Sequence, residues 1–188
     1  MEKLNVPILL ATGRQGRRSE AVARHALAKA QEFGFESPLV DVKQYGKAFT
    51  INAGEPNPKI EFWREIVSKA HGLIIISPEY NRGYPGELKL MLDALYDEYE
   101  GLPVGVCAVS DGAISGARML ENLRPVLIAF KMVPLQRAVY INVAKEFDAA
   151  GQPTDPSVDK QMKGLFEQLQ KFAKVLKAVR PALLRQSL

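Results

Sequence analysis

Three stretches of the sequence set glycine among hydroxyl, guanidinium, amide or aromatic side chains directly after an apolar run. The first is Thr12-Gly13-Arg14-Gln15-Gly16-Arg17-Arg18-Ser19. Between a strand and a helix, such a loop points backbone N–H groups at an anion, and the arginines add charge-assisted donors. Thr12, Arg14, Gln15, Gly16, Arg17 and Ser19 are therefore candidate phosphate ligands, with Ser19 equally suited to cap the helix that follows. Neither Gly-x-x-x-x-Gly-Lys-Ser/Thr nor Gly-x-Gly-x-x-Gly is present, which leaves a monophosphate site or a solvated basic loop. The second stretch runs Ser77-Pro78-Glu79-Tyr80-Asn81-Arg82-Gly83-Tyr84-Pro85-Gly86-Glu87-Leu88-Lys89 and offers an aromatic ring and backbone amides. The third, Ser110-Asp111-Gly112-Ala113-Ile114-Ser115-Gly116-Ala117-Arg118, is mostly small residues that let a flat ring approach the backbone.

The elements that position these loops follow from hydrophobic pattern. The apolar run at 72–76 is short and lacks polar alternation, as strands covered on both faces do, and further strands are expected at 6–11, 38–42, 104–109 and 133–143. Helical spacing predicts helices at 20–33, 59–70, 87–99, from the third loop to about 130, and from Asp155-Pro156 to the residue before Pro181. The helix at 87–99 is apolar nearly all round, which hints at a subunit interface. Five strands alternating with five helices make an α/β, doubly wound parallel sheet in one domain spanning 1–188, with helices on both faces. The strand order 2-1-3-4-5 is a common one and brings the three loops to one edge, where ligands of open α/β sheets bind. A phosphate loop, an aromatic loop and a small-residue loop together fit a mononucleotide with a planar ring, FMN foremost.

Composition narrows the function classes. The 188 residues carry a net charge of +4, but the basic residues are dispersed and lack aromatic interleaving, which argues against nucleic acid. No apolar run approaches a membrane span, no signal-peptide pattern opens the chain, and a single cysteine, Cys107, fits a reducing cytoplasm. His25 and His71 lack a second ligand at metal-binding spacing and read as structural. The segment 43–58, with Tyr45, Gly46, Phe49, Gly54, Pro56 and Pro58, reads as a long irregular loop.

These residues resemble the NADPH-dependent FMN reductases of flavodoxin-like fold, whose relatives include chromate, quinone and azo-dye reductases. Pro78-Glu79-Tyr80-Asn81, followed by Pro85-Gly86-x-Leu88-Lys89 and Asp93, resembles the family's loop against the isoalloxazine ring. The 12–19 loop resembles its phosphate turn, and Ser110-x-Gly112 with Gly116 and Arg118 its third loop. Ala11-Thr12 departs mildly from an expected Gly-Ser, while Asp111 and Ser115 stand where glycine is usual. A carboxylate at Asp111 would disfavour negative charge on the ring. The resemblance implies an FMN-dependent NAD(P)H oxidoreductase, using NADPH or NADH and a small-molecule acceptor, with ping-pong turnover and a homodimer or homotetramer. In that reading Thr12, Arg14, Arg17 and Ser19 hold phosphate, while Pro78, Glu79, Tyr80 and Asn81 position the ring mainly through backbone amides and the tyrosine face. Ser110 and Gly112 lie at the ring's other side, and no side-chain acid or base is needed. Arg82, Arg118 or Lys89 would each suit a 2′-phosphate. A flavodoxin-like electron carrier and a non-redox phosphate binder remain as alternatives.

Overall fold

The computed structural model describes residues 3–45 and 57–186. Gly46, Phe49, Gly54 and Pro56 of the expected irregular loop lie outside the described residues. The elements are β1 (Ile8–Leu10), α1 (Ser19–Phe33), β2 (Leu39–Asp41), α2 (Pro58–Lys69), β3 (Leu73–Pro78), α3 (Gly86–Asp93), β4 (Pro103–Ser110), α4 (Ala117–Ala129), β5 (Val133–Pro134), β6 (Val139–Asn142), α5 (Val143–Glu146) and α6 (Ser157–Gln186). All named pairings are parallel, in the order β2-β1-β3-β4-β5, with β6 also paired to β4. The expected strand order is therefore the observed one.

Alternation within the apolar runs divides the core into two layers. Ile8, Leu10, Ile74, Ile76, Cys107 and Val109 pack with α1 and α6, and burial pushes the Cys107 thiol up to about 12. Leu9, Ala11, Leu73, Ile75, Val106 and Ala108 pack against the helices of the opposite face. Each strand is apolar throughout because each successive side chain meets a different helical layer.

Four sequence expectations are corrected. The single strand expected at 133–143 is two pieces. Between the pairs Val104↔Pro134 and Cys107↔Val139, β4 advances three residues while its neighbour advances five. Pro134 cannot donate to a ladder, and the surplus bulges out where it falls. Next, the helix expected to reach 99 ends at Asp93, and a 3₁₀ turn follows at Asp97–Tyr99. Tyr99 is drawn into the core, where its hydroxyl accepts the Trp63 Nε1–H at 2.7 Å, while Leu90 and Tyr96 stay exposed. The last helix continues through Pro181 to Gln186. There the Arg180 guanidinium donates to the carbonyls of Val67, Ala70, Glu98 and Glu100, tying the final turns to the body of the protein. Finally, Ser19 is the first residue of α1 and not its cap: Arg18 precedes it, without a side-chain capping bond.

Candidate active site

Parallel strands end at the same edge, so the loops after β1, β3 and β4 converge. They enclose an open cleft of about 400 Å³ lined by Arg14 to Ser19, by Pro78, Glu79 and Tyr80, by Val109 to Gly112, and by Val143. That volume is within the usual range for a small-ligand site. Of the residues expected from sequence, Arg14, Gln15, Gly16, Arg17, Ser19, Pro78, Glu79, Tyr80, Ser110 and Gly112 line it. Thr12 is buried beneath the first loop, and Asn81 stands on the turn beyond the lining.

The first loop is fixed by its own side chains. Gly16 has φ +68°, a left-handed conformation that favours glycine. The Thr12 hydroxyl accepts the Arg14 N–H at 3.3 Å and lies 3.2 Å from the Tyr80 hydroxyl, joining the first two loops. Arg17 differs from its expected role. Its guanidinium donates to both carboxylate oxygens of Asp41, to Glu20 and to the Thr12 carbonyl, and only 6% of the side chain is exposed. Its five N–H donors are thereby engaged, so Arg17 braces the loop and has none left for a phosphate. The hydrogen bond to Asp41 raises the Arg17 pKa against the opposing effect of burial. Burial also pulls the Asp41 carboxyl upward, but Arg17 and the Lys43 N–H outweigh it and hold Asp41 below its usual value.

Other donors at this end are not engaged in this way. Arg14 lies 5.5 Å over the Tyr80 ring and has no carboxylate partner among the described residues. The Ser19 hydroxyl, in a residue only 2% exposed, has no hydrogen-bond partner, although it lines the cleft. The first-turn N–H groups of α1 lack intrahelical acceptors, as in any helix. A guanidinium, an orphaned buried hydroxyl and a helix start are donors of the kind that suit an anion.

The second and third loops supply fewer free amides than expected. The Glu79 N–H donates to the Val109 carbonyl at 2.9 Å and the Tyr80 N–H to the Gly83 carbonyl at 2.8 Å. The Gly112 N–H donates to the Ser110 hydroxyl at 3.0 Å. The Glu79 carboxylate accepts the Met119 N–H at 3.1 Å and so docks the second loop onto the start of α4. At Gly116, φ is +84° and a Cβ would stand 3.0 Å from that of Ala108, so only glycine lets the third loop fold back onto β4. Tyr84 packs against the core under the second loop.

Two lining or supporting residues escaped sequence reasoning. Arg18 pairs with Asp111 at 3.1 Å and donates to the Val143 carbonyl, so the carboxylate expected to burden the ring has a cationic partner. Asn142, buried at the end of β6, donates to the Gly112 carbonyl at 3.1 Å and the Asp111 carbonyl at 3.5 Å, while its Oδ1 has no partner. The register places it beside Ser110, a neighbour visible only once β4 and β6 are paired. His25 pairs with Asp159 at 2.6 Å, away from the cleft lining, and His71 Nδ1 accepts the Asn5 N–H. Among the described residues, no group of three or more His, Cys, Asp or Glu side chains could hold a metal ion, and no helix is long and apolar enough to cross a membrane.

Comparison with known proteins places this geometry in context. Residues 4–146 match the family described as NADPH-dependent FMN reductase. A quinone reductase of Escherichia coli is 33% identical over 135 residues, covering 68% of this chain and 71% of the relative. An FMN reductase (NADPH) of Pseudomonas putida is 23% identical over 156 residues, covering 82% of this chain and 79% of that protein. Among solved structures, the flavoenzyme NAD(P)H:(acceptor) oxidoreductase of Paracoccus denitrificans superposes with a TM-score of 0.71 at 20% identity, covering 93% of this chain and 98% of its own. At that identity the superposition speaks for the flavodoxin-like fold alone.

Proposed function

The chain belongs to the NADPH-dependent FMN reductase family, and from that premise we propose that it is an FMN-dependent NAD(P)H oxidoreductase serving a small acceptor. The observation that carries this reading is the convergence of three loops on one cleft, with an unpaired guanidinium and an orphaned hydroxyl at one end and small residues at the other. Arg14, the Ser19 hydroxyl and the first-turn amides of α1 hold the phosphate, and Arg17 with Asp41 keeps that loop in shape. The turn at 110–112 admits the flat ring, and Tyr80 with Arg14 closes one side.

Bound FMN would supply the redox chemistry between nicotinamide and acceptor. The protein's task is to orient the two partners and restrict water. No side chain has to transfer a proton: Glu79 is engaged by the Met119 N–H and Asp111 by Arg18. We therefore name no catalytic residue. The open cleft suits sequential entry of nicotinamide and acceptor at one place, with a quinone the first acceptor to try, and free flavin, an azo compound or chromate after it. Exposed Leu90, Tyr96 and Ile128 suit contact with a second copy in a homodimer or homotetramer. A cytoplasmic setting accords with the lone cysteine.

The reading is tested by steady-state oxidation of NADPH and NADH by FMN-loaded protein with a soluble quinone varied. Parallel double-reciprocal lines are expected. Retained flavin without nucleotide oxidation would instead favour an electron carrier.

A further inference from the structure

Arg18 and Asn142 hold the third loop from opposite sides, and the proposed reaction has so far given them no part. We infer that they are positioning residues: they keep the oxygens of Asp111 and Gly112 charge-paired or turned away from the flavin ring, and so make bound flavin easier to reduce. This rests on the reductase reading and concerns how that same cleft is tuned.

Asn142 works from behind. It ends β6, where the register sets it beside Ser110, and it is buried. Asp111 and Gly112 line the cleft and Asn142 does not, so the loop lies between this amide and the cleft. The Asn142 Nδ2 donates to the Gly112 carbonyl at 3.1 Å and to the Asp111 carbonyl at 3.5 Å, which turns both oxygens away from the cleft. The Asp111–Gly112 peptide is held at its other end as well, where the Gly112 N–H donates to the Ser110 hydroxyl at 3.0 Å. The Gly112 carbonyl also accepts the Ser115 N–H at 3.1 Å. The partners decide which way the amide faces, because exchanging Nδ2 and Oδ1 would set an oxygen against two carbonyls. That orientation leaves the buried Oδ1 without a partner among the described residues, a cost that an apolar side chain of similar size would not incur.

Arg18 works from the cleft side. It lines the cleft together with Asp111 and Val143, donating to the Asp111 carboxylate at 3.1 Å and to the Val143 carbonyl at 2.6 Å. Asp111 is the one acidic residue of the stretch 110–118, at a position where glycine was expected. Alone, its charge would face the cleft; beside Arg18 the pair is close to neutral. Reduction adds electron density to the ring, so a carboxylate or the oxygen end of a peptide dipole beside it opposes reduction. The two residues thus act on one property by different routes, Arg18 by cancelling a charge and Asn142 by turning two dipoles. The ion pair is partly solvated, which makes its share the smaller.

The experiment measures the midpoint potential of bound FMN by equilibration with a reference dye, alongside FMN affinity. It compares wild type with Asn142→Leu, Arg18→Gln, Asp111→Asn and the Arg18→Gln/Asp111→Asn double variant. Asn142→Leu should favour oxidised over reduced flavin by a further ~10-fold, which lowers the two-electron potential by about 30 mV. Arg18→Gln should shift the same ratio ~3-fold in that direction, and Asp111→Asn ~3-fold in the other. The double variant, with neither charge, should return to within ~2-fold of wild type. Arg180→Met, a destabilising change outside the cleft lining, should leave the potential unchanged, so that lost stability alone does not imitate the effect. If Asn142→Leu does not fold, Asn142→Ser, which keeps one donor, replaces it with a smaller shift of the same sign. An unchanged potential in an Asn142 variant that binds FMN, or shifts of one sign in Arg18→Gln and Asp111→Asn, overturns the inference while leaving the reductase reading intact. Wild type that binds no FMN removes both.

Discussion

Two guanidiniums are largely withdrawn from solvent, and their surroundings differ. Arg17, under the first loop, is held by Asp41 and Glu20, and the hydrogen bonds it donates to Asp41 drive its pKa upward. Arg180, on α6, has carbonyl acceptors at Val67, Ala70, Glu98 and Glu100, and burial drives its pKa down to about 10. It stays charged at neutral pH, yet its charge is costly where it sits, and its value is in satisfying carbonyls near the end of α2. The comparison teaches that a basic side chain beside a pocket is not thereby a ligand. Arg17 is a brace, like Arg180, whereas Arg14 has no carboxylate partner among the described residues.

The strongest way to break this comparison is at Arg180. Arg180→Met should destabilise the protein by about 3 kcal/mol in urea unfolding, because buried carbonyls lose a charged donor. The affinity of the folded protein for FMN should stay unchanged. Arg17→Ala should cost about 2 kcal/mol of stability, since it leaves Asp41 partly buried without its cation, and it should also weaken FMN binding through the displaced loop. Arg14→Ala should do the reverse. We expect about a 10-fold loss of FMN affinity, with stability within about 0.5 kcal/mol of wild type.

Protonation sharpens the same contrast. Asp41 is held below its usual pKa, so the stability it contributes is fully present above the ordinary carboxylate value of about 4 and disappears as pH falls through its lower folded value. Wild type should therefore lose stability on acidification below about pH 4. Asp41→Asn, already lacking that contribution, should show a shallower acid limb when unfolding is followed by circular dichroism across pH. The smallest effect is expected at Asp111→Asn, because its pair with Arg18 is largely solvated. A change in stability below about 0.5 kcal/mol should be measured.

The sheet was legible in the sequence because short, mostly apolar strand patterns alternate with helical ones, as in a covered parallel sheet. The three loops were legible because such a sheet puts every strand's carboxyl end at one edge. What escaped was set by pairing across the chain. Arg17 looked like a ligand because Asp41, which captures it, is 24 residues away and reaches it through the β1–β2 pairing of Leu10 with Asp41. Asn142 carried no local signal, since its partners are backbone carbonyls 30 and 31 residues distant. The helix expected to reach 99 followed its apolar spacing, but it ends at Asp93, and Tyr99 instead meets Trp63, a partner 36 residues away. Local pattern wrote the elements, and long-range polar contacts decided which side chains stay free.

One measurement tests the central claim most directly, that the cleft between the three loops is a functional FMN site. Purified protein is incubated with FMN, passed through gel filtration, and its absorbance spectrum recorded before and after anaerobic addition of NADPH. Flavin should co-elute with wild type and bleach on NADPH addition, and Arg14→Ala should retain less of it while eluting as a folded protein. Wild type that elutes folded and colourless, or that holds flavin equally well without Arg14, would contradict the account.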